Sequence, residues 1–430
     1  MGILKEVLKN QVYPAMGCTE PVSVALCAAH AAKILGEPAT EAVFILDAGT
    51  YKNGLGVNVP NTGGEKGNLI AGALGLLIAE PGAGMEILKA ATPKLLERAR
   101  GLVASGRVKA SVEPLAKTIY IEVRAAGGKN RAVCTISASH TEVSFSSRNG
   151  KTLTDLKKNA CVKKNAAWRK ELTELSLAEM VKSAESADKE DLDYIKAGVK
   201  MNLAASRCGR KLKKVGFYIA ELVRMGYLHD DVFSSTKMLT AYASDARMEG
   251  LPIPVMASGE SGNQGIVAIL APYNFGKVLR VRPDRIYRSI ALSHLLNSYV
   301  KTYTGGLAPI CGCSIAAGVG ATAAMVYQLK GPDLSAISLA INNLISDLGG
   351  MLCDGAKSGC ALKIVSSVDS SIRSAYMGMH NYGITEVEGF IGRTAEETIR
   401  NLAHISTVGM EQVDPTIVDI MLKKQDCRRA

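Results

Sequence analysis

Residues 132–147, AVCTISASHTEVSFSS, alternate small or β-branched apolar residues with Ser, Thr and Glu. That period-2 pattern belongs to half-buried strands. The segments AVFILDAG (42–49), GLGVNVPN (54–61), RVKASVEPL (107–115) and TIYIEVRA (118–125) carry the same signal, with glycine turns between them. One helical stretch, 68–104, interrupts them. After Gly150 the strand signal fades, and helical periodicity dominates from Leu172 to the end. The first forty residues read as two helices separated by Pro14 to Glu20, the second stopped by Gly36 and Pro38. The fold class is therefore α+β. A small strand-rich α+β domain, 41–150, is inserted between N-terminal helices, 1–40, and a larger mainly helical domain, 151–430. The N-terminal helices are expected to pack on the helical domain.

Composition narrows the class. A chain of 430 residues exceeds the roughly 250–300 at which one core stops growing. Aromatics are 5% while glycines number 42, which suits Ala- and Gly-lined helix contacts that would also tolerate a homo-oligomer interface. The longest apolar run, Cys311 to Leu329, is rich in Gly and Ala and broken by polar residues, unlike a span of about 20 strongly apolar residues. Lys5, Glu6 and Lys9 interrupt the N-terminal apolar positions, unlike a signal peptide. A cytoplasmic protein without a membrane partner is expected. The formal charge is +11, densest from Lys157 to Lys170 and from Arg207 to Lys214. Both runs lie in helical patterns without a nucleic-acid motif, so they read as solvated helix faces and no nucleic-acid partner is expected.

Ten cysteines in a reducing compartment favour metal binding or catalysis over disulfides. Cys27 and Cys134 sit in apolar runs and read as core residues; Cys427 lies in a polar tail. Four others occupy two glycine loops, PICGCS (309–314) and CDGAKSGC (353–360), each leading into a helical segment. On one helix Cys353 and Cys360 would stand about 10 Å apart along the axis, so a loop entering a helix suits them better. Zinc, an iron–sulfur cluster and plain burial in an Ala/Gly core all remain open. Closed zinc sites pair ligands as C-x₂₋₄-C or H-x₃₋₅-H, which neither loop matches, and neither His140 nor His380 is paired. A cluster held by three thiolates keeps one iron open as a Lewis acid. A fifth cysteine, Cys18, lies in GCTEP (17–21) just before a helix. There the free N–H groups and dipole favour a thiolate, as in a nucleophile, a proton-transfer group or a ligand.

The loop SGESGNQG (258–265) opens a helix and suits a carboxylate or phosphate; it is neither a Walker loop nor a dinucleotide fingerprint. Asn53, Asn61 and Thr62 sit in turns that their side chains would define. His140 ends a strand and reads as a satisfied surface histidine.

Together GCTEP, DAGTYKNGLGVNVPNTGG, SGESGNQGI, APICGCSIAAGVGA and CDGAKSGCALK resemble the L-cysteine desulfidase family, a group of serine dehydratase-like proteins. The match runs in order from Gly17 to Lys363. The resemblance implies a lyase that converts L-cysteine to pyruvate, ammonia and hydrogen sulfide. It implies a [4Fe–4S] cluster held by Cys311, Cys353 and Cys360, with Cys313 the alternative to Cys311, and Cys18 as proton acceptor. Asn53, Asn61, Thr62, Ser261, Gly262 and Asn263 are assigned to binding the small amino-acid substrate. An L-serine dehydratase using the same cluster, or a non-catalytic, metal-stabilised protein that binds an anionic metabolite, are the rival readings.

Overall fold

The computed structural model describes residues 2–113, 116, 119–156 and 162–426. Cys161 and Cys427 lie outside them. The chain starts with α1 (Ile3–Gln11), β1 (Pro14–Ala15) and α2 (Thr19–Leu35). Next come β2 (Glu41–Leu46), α3 (Ala48–Leu55), α4 (Asn68–Ile78), a 3₁₀ segment (Pro81–Ala90) and α5 (Pro93–Ala104). Then β3 (Val108–Val112), β4 (Tyr120–Gly127), β5 (Asn130–Ser137), β6 (Val143–Arg148) and β7 (Lys151–Asp155) follow in succession.

Six strands form one sheet in the order β3-β2-β4-β5-β6-β7. Only β2 and β3 run parallel, and α3 to α5 supply the crossover that a parallel pair requires. Ala42, Phe44 and Leu46 of β2 point inward while Glu41 and Val43 face water. Phe44 pairs with Val123, which pairs in turn with Cys134, and this face is covered by α2 and α4. Helix α2 is apolar on nearly every side, as a helix buried between two layers must be. Of the two N-terminal helices only α1 joins the helical core, through Ile3, Leu4, Val7 and Leu8.

Two local expectations are corrected. GLGVNVPN is not a strand: it holds the end of α3 and turns, with one isolated bridge between Asn58 and Lys66. Asp47 starts α3 by accepting the Thr50 N–H at 2.8 Å, a strong N-cap that outweighs the short alternating pattern behind it. Conversely β7 extends the sheet past Gly150 as an exposed edge of polar residues, which carries little apolar signal.

The rest is helical: α6 (Val162–Glu174), α7 (Leu177–Glu185), α8 (Lys189–Gly209), α9 (Val215–Arg224) and α10 (Val232–Met248). After β8 (Val255–Met256) come α11 (Gly262–Val278), α12 (Pro283–Thr304), α13 (Ala316–Lys330) and α14 (Leu334–Leu348). Last are α15 (Cys360–Met379), α16 (Ala395–His404) and α17 (Val413–Asp426). Leu292, Leu295, Val319, Ile337 and Ile341 are central to this second core. A ladder of β1 against β8, with Pro14 opposite Met256, ties the N-terminus to it. Among the described residues no single helix is long and apolar enough to cross a membrane.

Candidate active site

The two cysteine loops meet because their backbones pair. Ile310 and Leu352 form an antiparallel bridge; the Cys311 N–H donates to the Met351 carbonyl at 2.8 Å, and the Cys353 N–H to that of Pro309 at 2.6 Å. Cys311 and Cys353 are thereby set side by side. Cys360 opens α15, and Ser314 clamps the start of α13 to α15 through the Lys363 carbonyl at 2.9 Å. The result is one cavity lined by Cys311, Cys313, Cys353 and Cys360. Cys18 lines the same cavity, contributed from the N-cap of α2.

The thiols differ in acidity. The hydrogen bond from Cys313, with help from Ser314 and Lys363, draws Cys311 down to about 6 against its burial. Cys313, the donor, is pushed up. Burial raises Cys353, opposed by Lys52, and raises Cys360 to about 11.

Cys18 differs from expectation. Burial first, and then the Glu20 charge, push its thiol well up despite its place at a helix N-terminus. Its Sγ donates to Glu20 Oε2 at 2.8 Å, and Asn53 Nδ2 donates to Glu20 Oε1 at 2.8 Å. Burial alone would raise Glu20, but His140, Cys18 and Asn53 outweigh it and hold the carboxyl low. A second buried carboxylate, Glu260, stands opposite. It sits at φ 65°, a region side-chain-bearing residues seldom adopt. It accepts from Arg169 Nη2 at 2.7 Å and pairs with His140 Nδ1 at 3.1 Å. His140 is buried, not at the surface; with Nδ1 committed to Glu260, its Nε2 has no hydrogen-bond partner among the described residues.

Of the residues assigned to substrate, Asn53, Ser261 and Asn263 line the cavity. Asn61 donates instead to the Leu88 carbonyl at 2.9 Å, and Thr62 to that of Val59 at 2.6 Å; Gly262 packs beneath Arg247. Sequence reasoning missed Glu20, Arg247, Glu260, Lys52, Lys301 and Lys363, which also line the cavity. Glu20 and Glu260 stood inside quoted motifs, while Arg247 is a solitary basic residue with no motif around it.

Residues 83–419 match the family model described as serine dehydratase alpha chain. The chain belongs to the serine dehydratase alpha-chain family. A UPF0597 protein of Elusimicrobium minutum is 60% identical over 99% of this chain and 100% of its own length. Another, from Geobacter sulfurreducens, is 51% identical over 99% of both chains. One from Clostridium tetani is 38% identical over 98% of this chain and 99% of its own. No solved structure matches the chain. The serine dehydratase alpha-chain match points to a lyase-type enzyme in a family generally associated with iron–sulfur clusters.

The donor set fits such a group. Among the described residues no group of three His, Cys, Asp or Glu side chains stands ready to hold a single metal ion. The cavity offers five sulfurs, those of Cys18, Cys311, Cys313, Cys353 and Cys360, and thiolates are the ordinary ligands of iron–sulfur clusters. Lys52, Lys301 and Lys363 line the same space, and positive charge offsets that of ionised thiols.

Proposed function

We propose that this protein is an iron–sulfur-dependent carbon–sulfur lyase that converts L-cysteine to pyruvate, ammonia and hydrogen sulfide. The observation that carries the reading is the shared cavity of Cys311, Cys353, Cys360 and Cys18. A [4Fe–4S] cluster held by Cys311, Cys353 and Cys360 would supply an open iron as Lewis acid for the departing sulfur.

The protein's own groups handle the protons. Elimination removes the Cα proton and expels sulfur from Cβ, leaving aminoacrylate. Aminoacrylate tautomerises to the imine, and water hydrolyses that to pyruvate and ammonia. Cys18 takes the Cα proton in its thiolate form, which the Arg247 charge favours against burial and the Glu20 charge. The burial that disfavours this thiolate also makes it a strong base once formed. Asn53 holds the Glu20 carboxylate in place beside that thiol. His140, oriented by Glu260, presents Nε2 as a second proton-handling atom. Cys18, Glu20 and Asn53 are buried in the cavity wall, which limits water around the reacting carbons.

A second reading, elimination of water from L-serine by the same residues, draws support from the family description. Comparing kcat/KM for the two amino acids on anaerobically purified protein, with pyruvate and sulfide both assayed, separates the two readings. Cys18→Ala is expected to keep the cluster absorbance and to lower kcat by about 10²–10⁴-fold. Colourless, iron-free protein without turnover would sink the reading, and loss of absorbance in Cys18→Ala would make that residue a ligand.

A further inference from the structure

Arg247, in the last turn of α10, is 2% exposed. Its Nε has no hydrogen-bond partner, and Nη2 makes one long contact to Thr19 Oγ1 at 3.4 Å. The carboxylates nearby are engaged elsewhere: Glu20 with Cys18 and Asn53, Glu260 with His140 and Arg169. A guanidinium taken out of water without an anion is costly, and among the described residues this one has no paired counter-charge. It lines the cavity that Cys18 also lines.

A second, independent feature points into the same space. Gly262 is the first residue of α11, and its N-cap Ser261 makes no side-chain capping bond. The first-turn N–H groups of that 17-residue helix carry the positive end of its dipole. A Cβ added at Gly262 would stand 2.3 Å from Arg247 Nε and 2.8 Å from Cζ. Only glycine lets the guanidinium lie against the opening of the helix. The other cations of the cavity are occupied: Lys52 with Asp414 and the Cys353 carbonyl, Lys363 with Asp354, Lys301 with the Gly306 carbonyl.

We propose that Arg247 and the open first turn of α11 together seat the α-carboxylate of the substrate. The assignment rests on the amino-acid lyase reading and narrows its substrates to short α-amino carboxylates. A planar guanidinium receives a carboxylate through two parallel bonds. Anchored there, the substrate turns its Cα toward Cys18, whose thiol feels the Arg247 charge.

The test uses the full-length, cluster-loaded protein and two probes, titrated calorimetrically without oxygen. 3-Mercaptopropanoate has the thiol and carboxylate but no amine; cysteamine has the thiol and amine but no carboxylate. Arg247→Met is expected to weaken 3-mercaptopropanoate by about 100-fold and to leave cysteamine within about twofold. The KM for L-cysteine should rise in step, more than kcat falls. Equal weakening of both probes, or none of either, overturns the assignment. If Arg247→Met does not fold by circular dichroism, Arg247→Lys and Gly262→Ala decide it, since both keep a positive charge and move it, the second also pressing on Val255. Unchanged affinity for 3-mercaptopropanoate in both overturns the proposal. Wild-type protein that binds this probe through Arg247 yet turns over neither cysteine nor serine keeps the carboxylate seat and removes the lyase reading. Failure of wild type to bind the probe removes the seat.

Discussion

Gly355 lies between the two thiols of CDGAKSGC at φ 95°, and a Cβ there would stand 2.7 Å from the Lys52 carbonyl oxygen. Alanine at this position is strained in its backbone and too close to its neighbour. Gly355→Ala is expected to fold but to lose most of its iron, measured per chain after anaerobic purification. Gly350→Ala, where an added Cβ meets nothing within 4 Å, is the control; full iron content in Gly355→Ala would show that the loop adapts. At this scale the cysteines were legible because thiols beside glycines have few purely structural uses. The acidity of Cys18 was misjudged because the helix terminus was weighed without desolvation, which dominates at 2% exposure. Arg247 and Glu20 left little signal, since only the folded chain brings residues 18, 20, 53 and 247 together.

The C-terminal helix α17 reaches the site through one ion pair. Lys52 of α3, 1% exposed, places Nζ 2.7 Å from Asp414 Oδ1 and 2.7 Å from the Cys353 carbonyl. Removing one partner of a buried pair strands the other charge. Asp414→Asn should therefore lower the urea-unfolding free energy by about 3 kcal/mol. The double variant Lys52→Met with Asp414→Leu should recover most of that stability while retaining less iron, because the Cys353 carbonyl loses its donor. A single variant as stable as the parent would contradict the latch. Among elements, β2, β4 and β5 were readable because their alternation records one buried and one wet face. The α3 segment was not, because a single cap at Asp47 decides it. The position of α2 was not either, since a helix apolar on nearly every side can be buried against any layer.

Across the whole molecule, the sheet core and the helical core contribute facing walls of one site, and buried titratable groups link its stability to pH. Burial lowers the pKa of His294, on α12, to about 3. The folded value lies below the unfolded one of about 6.5, so the unfolded chain takes up the proton first. Stability is complete above that unfolded value and falls as pH drops from about 6.5 toward 3. Glu20 and Glu260, also held below the ordinary range, add losses only below about 4.5. The fall of the urea midpoint between pH 6.5 and 4.5 should be shallower in His294→Gln than in the parent, with His30 keeping a share of it and the carboxylate part unchanged. A parent midpoint that is flat from pH 7 to 5 would contradict this. The α+β class was legible at this scale, whereas the meeting of residues 311 and 353 depends on a backbone bridge that no local pattern announces. The ladder of Pro14 against Met256 also bears on how the protein is made. A ribosome adding about 5–20 residues per second needs roughly 10–50 s to travel from one partner to the other. Throughout that interval the apolar stripe of Ile3, Leu4, Val7 and Leu8 waits for α12, which completes the surface it packs on only after residue 283.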